Sequence, residues 1–315
     1  MVRRVTTPRK PLRNHGPKLR PLESKRWWII ATVILLPALF LLIQFGYAPF
    51  SEVQNQHAVE KAHDDELARN PALLAKTERI WDSSMDGWTW VFPGVVSRKA
   101  LASTEAILFG RTSVPAGDSE VARNAARRVG GYRTSSHCGT GANNIPVCTP
   151  VGRYKVTLTG NRRQKVQIVG IKASVVSQRK PPLGTLLIGP TEGGGPIDAV
   201  FIDLDSADKE AVAIDEANNP TDRPFVDVES RWTEEGEPLV FEVMAGTKHQ
   251  SEYKWKLLVE ISYGGKRETI QVPANEGDTF QTVGWKADWP YGARYKADQA
   301  THRFVVVDPS SKGHP

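Results

Sequence analysis

The two cysteines are the residues of this sequence with the most specific chemistry. Cys138 and Cys148 are its only cysteines, and the glycine, asparagine and proline residues between them allow the backbone to turn back. The membrane topology predicted below places both cysteines outside the cytoplasm, where thiols oxidise. We therefore predict a disulfide that closes a loop of about eleven residues, worth about 3 kcal/mol in the chain-entropy model. His137 is a poor base for Cys138, since adjacent residues rarely face each other, and a Cys/His metal site needs more ligands.

Acidic and glycine-rich segments are weaker candidates. Asp203, Asp205 and Asp208 lack the glycine and the distal glutamate of a calcium-binding loop, so we interpret them as acids at a solvated strand end. The glycines at 193–195 precede Pro196 instead of the Lys-Ser/Thr pair of a phosphate-binding loop. The sequence therefore predicts no catalytic, cofactor-binding or metal residue. Carboxylates that converge only in the folded chain would still allow catalysis.

The segment 285–295, which reads WKADWPYGARY, concentrates aromatic and polar side chains. Exposed rings beside hydrogen-bonding groups can bind a glycan or another protein. The alternative, which we favour, is that the rings fill one end of the hydrophobic core. The candidate interaction residues are Trp285, Trp289, Tyr291, Arg294 and Tyr295.

Positive charge is concentrated at the start of the chain. The protein has 315 residues and a net charge of +6, yet residues 1–26 hold nine basic groups and one acid. The other 289 residues keep 32 of the 41 basic and 34 of the 35 acidic groups, a net charge of −2. The tail has several prolines and no aromatic residue, which is typical of a disordered arm and does not predict nucleic-acid binding. The predicted contacts with anionic lipids are Lys18, Arg20, Lys25 and Arg26.

The tail leads into a stretch of 21 uncharged residues, 27–47. As a helix it would measure about 30 Å, the thickness of the hydrocarbon core of a bilayer. A cleaved signal peptide is the alternative, but the long tail and the lack of a small-x-small site favour a retained anchor. The basic tail predicts a cytoplasmic N-terminus, which places residues 48–315 outside the cytoplasm.

The segment 48–150 is predicted to be a helical stalk and loop region. A polar stretch without Gly or Pro from Ser51 to Arg69 favours a solvated helix, and Asn70-Pro71 is typical of the start of another helix. Further helices are predicted at 97–109 and 118–129, each followed by glycine. The helix starting at Pro71 would carry Leu73, Leu74, Ile80 and Trp81.

Alternating patterns after Pro150 predict an immunoglobulin-like antiparallel sandwich over 151–308, with a disordered end at 309–315. One apolar face is Trp255, Leu257, Val259, Ile261 and Tyr263, and the opposite face holds Lys254, Lys256, Glu260 and Ser262. Gly264-Gly265 predicts a tight turn into a partner strand over 266–272. About eight short strands separated by turn residues fit this class. Other predicted strands cover Tyr154–Leu158, Val166–Val176, Thr185–Ile188, Ala199–Leu204, Leu239–Val243, Thr279–Trp285 and Arg303–Val307.

Residues 154–285 contain four distinctive motifs: PPLGTL at Pro181–Leu186, FIDLD at Phe201–Asp205, Pro224-Phe225, and the Tyr253/Trp255 strand with its Gly264-Gly265-Lys266 turn. In these motifs the chain resembles a large group of uncharacterised actinobacterial single-pass membrane proteins. It implies a membrane-tethered extracytoplasmic β domain and brings no functional residues with it.

These patterns together predict a single-pass protein of the cell envelope. Its outer domain is expected to be a non-catalytic module, without a cofactor, that binds an envelope protein or a cell-wall glycan. An envelope enzyme is the first alternative. The second is a signalling protein that acts through a cytoplasmic partner, because a tail of 26 residues is too short to fold as an output domain.

Overall fold

A computed structural model of the chain describes residues 57–79, 89–102, 128–140, 146–189, 198–275, 277–298 and 300–307. The predicted tail, membrane helix and C-terminal end, and most of the helix predicted at 118–129, lie outside these ranges. No helix within them is long and apolar enough to cross a membrane. The chain divides into two units, Met1–Asp65 and Glu66–Pro315, and the described part of the first, residues 57–65, is helical.

The described chain is mainly β. Helix is found at residues 57–69, which are mostly exposed as predicted, at 98–102, and at Phe225–Val228. The strands are β1 (Leu73–Arg79), β2 (Thr89–Phe92), β3 (Tyr132–Thr140), β4 (Pro146–Gly160), β5 (Val166–Arg179), β6 (Thr185–Ile188), β7 (Ala199–Asp203), β8 (Ala211–Ile214), β9 (Pro220–Pro224), β10 (Arg231–Thr233), β11 (Pro238–Gly246), β12 (Glu252–Tyr263), β13 (Lys266–Val272), β14 (Phe280–Val283), β15 (Ala293–Asp298) and β16 (Arg303–Val306).

The described strands form two sheets. The larger sheet has eleven strands in the order β16-β15-β6-β2-β3-β4-β11-β7-β8-β9, with β1 also paired to β4. The smaller sheet has five, in the order β10-β5-β12-β13, with β14 also paired to β12. Most pairs are antiparallel, but β7 with β11 and β6 with β15 are parallel, which corrects the prediction of purely antiparallel pairing. Parallel neighbours need a long crossover, which β8–β10 supply between β7 and β11.

The main core lies between the two sheets. Trp255, Leu257, Val259 and Ile261 of β12 are fully buried as their alternation predicted, and Tyr263 is partly buried. They pack with inward residues of β4 and β11 such as Val156 and Phe241. The Trp255 ring stacks on Phe280, with their centroids 4.7 Å apart. The predicted turn after β12 is present, with φ of +52° at Gly264 and +75° at Gly265, backbone angles that glycine adopts without strain.

The region 71–150 departs most from prediction. The helix predicted from Pro71 is wrong, because β1 occupies Leu73–Arg79 and pairs antiparallel with β4, from Leu73 opposite Gly160 to Arg79 opposite Tyr154. Together, β2, β3 and the start of β4 extend the same sheet, so the β domain begins well before residue 151. Pairing with a distant strand outweighs the local signal of Asn70-Pro71.

Candidate functional site

The predicted disulfide is present. Cys138 on β3 and Cys148 on β4 are direct partners in the antiparallel register, and their Cα atoms are 4.0 Å apart. His137 points to the opposite face of β3, as alternation along a strand requires. Its Nε2 lies 2.8 Å from the Asn218 carbonyl oxygen and its ring packs on Phe201, while burial holds its pKa below the usual value. The imidazole is therefore a packed side chain and does not serve the cysteines.

The aromatic rings of segment 285–295 are buried or partly buried. The five candidate interaction residues therefore do not present exposed aromatic rings to a ligand. Tyr291 and Tyr295 are buried, and the Tyr295 hydroxyl donates to the Val96 carbonyl oxygen at 3.2 Å. Trp285 and Trp289 pack half-buried against the cluster that contains Tyr291. The two tyrosines are packed as the core-filling interpretation predicted, but the four rings lie in clusters separate from the main core between the sheets, and the two tryptophans are only partly buried. The tyrosines are covered because the segment runs into β15, and Arg294 on that strand donates to the Ala287 carbonyl oxygen at 3.0 Å.

Several hydrogen bonds converge on the carboxylate of Asp205, one of the acids predicted to lie at a solvated strand end. Asp205 follows β7, and its side chain is only 9% exposed. It accepts hydrogen bonds from the Thr247 hydroxyl at 2.8 Å, the Lys248 backbone N–H at 2.7 Å and the Tyr253 hydroxyl at 2.8 Å. The prediction that Asp205 is solvated is therefore wrong, because the turn after β11 folds over it.

Charge in this network is stabilised by donors. Burial alone would raise the Asp205 pKa, but the hydrogen bonds from Lys248, Tyr253 and Thr247 outweigh it and hold that pKa below its ordinary value. Burial and the neighbouring carboxylate raise the pKa of Tyr253 to about 12. The His249 Nδ1 atom lies 3.3 Å from Asp205, with its side chain 70% exposed. This arrangement ties the turn after β7 to β12. In the described ranges, no three His, Cys, Asp or Glu side chains are grouped to hold a metal ion.

The outer face of the smaller sheet carries several cations that are exposed or partly exposed, whereas the end of this face at Glu252 is buried. The β12 residues that alternate away from the core include Lys254 and Lys256, and the registers place Lys172 of β5 opposite Leu258 and Arg267 of β13 opposite Ser262, on that same face. At the β10 edge, Trp232 is 44% exposed, and the Lys165 ammonium lies 3.6 Å from the centroid of its ring. We call this surface the basic face, defined by Lys165, Lys172, Trp232, Lys254, Lys256 and Arg267.

Positive charge exceeds negative charge on this side of the sheet. Lys172 pairs with Glu260, and the Arg179 Nη2 atom lies 2.7 Å from Glu252. Glu210 pairs with Lys172 in an isolated bridge, so it lies on the same face. Among the outward residues of β5, β12 and β13, together with Lys165 and the bridge residue Glu210, there are six cations and three acids: Lys165, Lys172, Arg179, Lys254, Lys256 and Arg267, and Glu210, Glu252 and Glu260.

Sequence reasoning identified part of this face. The alternation of β12 already set Lys254 and Lys256 opposite the apolar residues. The alternation could not predict that Lys172 and Trp232 lie on the same face as these lysines, because β5 shifts register twice against β12 and β10 is three residues long. Lysine at every second position of a predicted strand was the usable signal.

No protein-family model, curated protein or solved structure matches this chain.

Proposed function

We propose that this protein is a membrane-anchored, extracytoplasmic module that binds another component of the cell envelope and catalyses no reaction. Residues 27–47 would cross the membrane as one helix, with the basic tail against anionic lipids on the cytoplasmic side. The two-layer β domain would lie outside and, like an immunoglobulin-like module, use a sheet surface for recognition. The observation that carries the proposal is the basic face, a sheet surface where cations outnumber acids and are exposed or partly exposed to solvent.

Two further observations support this placement and role. A disulfide that closes a short hairpin forms and persists in an oxidising compartment, which fits an exported domain. Three acids with largely buried side chains are each held by donors: Asp205 by Thr247 and Tyr253, Glu242 by Arg153, and Glu252 by Arg179. Acids neutralised in this way maintain structure, and this favours binding over the alternative of an envelope enzyme.

The test uses the full-length chain in a non-ionic detergent, mixed with envelope fragments isolated from the source cells. We expect the fragments to retain the native chain and to retain a Lys254→Glu/Lys256→Glu variant much more weakly. The matched control, Lys99→Glu/Lys296→Glu, makes the same change of charge at two exposed lysines away from the basic face. Equal retention of all three chains would contradict the proposal.

The membrane placement has its own test. Intact cells treated with an external protease should lose the β domain while a tag at residue 1 remains protected, and the exported chain should show no free thiol before reduction. Finding the intact chain in the soluble fraction with both thiols reduced would contradict the anchor and its orientation.

A further inference from the structure

We propose that the ligand of the basic face is an acidic polysaccharide: a linear glycan chain bearing carboxylate or phosphate groups that lies along strands β5 and β12. The inference rests on the proposed function and names the class of its partner. Three features of the surface carry it, namely the line of its cations, its charge relative to the rest of the chain, and the tryptophan at its edge.

The cations form a row along the strands. Lys254 and Lys256 are two residues apart on β12, which separates them by about 7 Å along the strand, and Lys172 continues the row on the adjacent strand. From Lys254 to Ser262, opposite Arg267, β12 advances eight residues, or about 26 Å. A row of this length matches a linear polymer with repeated negative charges better than it matches a small anion.

The charge distribution favours a polyanion at this face over the rest of the outer domain. Lys254, Lys256 and Arg267 have no acidic partner among the described residues, whereas the chain after residue 26 is net negative, at −2. An extended anion is therefore attracted to this face and repelled by the remaining surface. Because the sites are exposed, the attraction should weaken as salt is added.

The edge of the face adds an aromatic contact that suits a sugar ring. The Trp232 indole is 44% exposed, and the Lys165 ammonium lies against its ring. An indole offers a flat apolar surface for the C–H groups of a sugar, while the adjacent ammonium can bind its anionic substituent. A flat lipid surface fits less well, because neighbouring strands twist by roughly 20–25° and turn the outer cations away from one plane. A flexible polymer can follow that twist.

The experiment measures binding of the full-length chain, in a non-ionic detergent, to alginate as a polyuronate probe and to dextran as a neutral one. We expect binding to alginate, weakened by salt, and none to dextran. Lys254→Glu/Lys256→Glu should lose at least about tenfold in affinity, and Trp232→Ala about threefold or more. The control Lys99→Glu/Lys296→Glu should stay within about twofold. All variants keep the basic tail, so its contribution is constant, and an unchanged thermal midpoint verifies folding.

Two outcomes would overturn the inference. Equal alginate affinity of the face variant and the control variant would show that the tail or nonspecific attraction binds the polymer. Stronger face-dependent binding to vesicles of one part phosphatidylglycerol to three parts phosphatidylcholine than to alginate would assign the face to a membrane. If envelope retention still depends on Lys254 and Lys256 in either case, the proposed function stands and only the class of partner is wrong. If retention does not depend on them, the proposed function itself fails.

Discussion

The outer faces of the two sheets have the same secondary structure and opposite environments. On the larger sheet, Phe201, Val151 and Met244 form an apolar cluster, each no more than 4% exposed, and the Glu242 side chain beside them is 2% exposed. On the smaller sheet, the Glu260 side chain is 37% exposed. A sheet face packed in this way contributes stability, whereas an open, charged one is available for contact with a partner.

The contrast is clearest in one ion pair from each face. Arg153 and Glu242 form a two-point pair on the larger sheet, with a second bond of 2.9 Å from Nη2 to Oε2. Lys172 and Glu260 form a single-point pair on the smaller sheet, where water screens both partners. Because a buried charge left without its partner cannot be solvated, the two pairs should differ greatly in the cost of breaking them.

The largest expected effect is that of Glu242→Ala. Removal of this carboxylate takes away the two-point partner of the mostly buried Arg153 guanidinium, and we expect the free energy of unfolding to fall by about 3–5 kcal/mol. Urea denaturation followed by tryptophan fluorescence measures it. The double variant Arg153→Met/Glu242→Leu should recover most of the loss, since it removes both charges. A loss below about 1 kcal/mol for the single variant would mean that the two faces are energetically alike.

The disulfide strengthens the larger sheet alone, because the smaller one contains no cysteine. Replacement of Cys138 and Cys148 by alanine should lower the free energy of unfolding by about 2–4 kcal/mol, because the unfolded chain without the cross-link has more conformational entropy. The native protein in reducing agent should show the same decrease, and the alanine variant should not respond to the reagent. If the oxidised, reduced and alanine forms unfolded at the same denaturant concentration, the cross-link would add nothing to the larger sheet.

Asp205 links the two sheets, since it follows β7 of the larger one and binds Tyr253 on β12 of the smaller one. Its folded pKa lies below the ordinary 3.8, so its contribution is complete above about pH 4 and disappears as pH falls through the folded pKa. Asp205→Asn should cost about 1–3 kcal/mol at pH 7. That difference from the native chain should shrink in acid, as measured by denaturant titrations from pH 7 to pH 2.5. Asp208→Asn, at an exposed position, is the control; a pH-independent cost for Asp205→Asn would exclude this role for the charge.

The smallest effect is expected at the exposed pair. Glu260→Ala should change the free energy of unfolding by less than about 1 kcal/mol, because both partners are already solvated. It also removes an acid from beside the basic face, so affinity for a polyanion should rise slightly, which the alginate titration measures. A loss comparable to that of Glu242→Ala would show that the smaller sheet relies on its charges for folding.

The sequence predicted those parts of the fold in which the paired residues are close together along the chain. The hairpin of β12 and β13 followed from alternation and two glycines, and the disulfide followed from a turn between the only two cysteines. Strand β1 could not be predicted in this way, because its partner lies some eighty residues along the chain and its sequence, LLAKTER, suits a helix equally well. The basic face had the same difficulty, since four strands and two register shifts assemble it.

The order of strands in the larger sheet constrains how the protein reaches its folded state. β2 lies between β3 and β6, and β6 in turn lies between β2 and β15, which ends at Asp298. A chain that emerges N-terminus first during synthesis would therefore complete this half of the sheet only when nearly all of it is available. Until then, several strand edges remain unpaired and open to association with other chains. We therefore expect slow folding, with strand edges that need protection until β15 has paired.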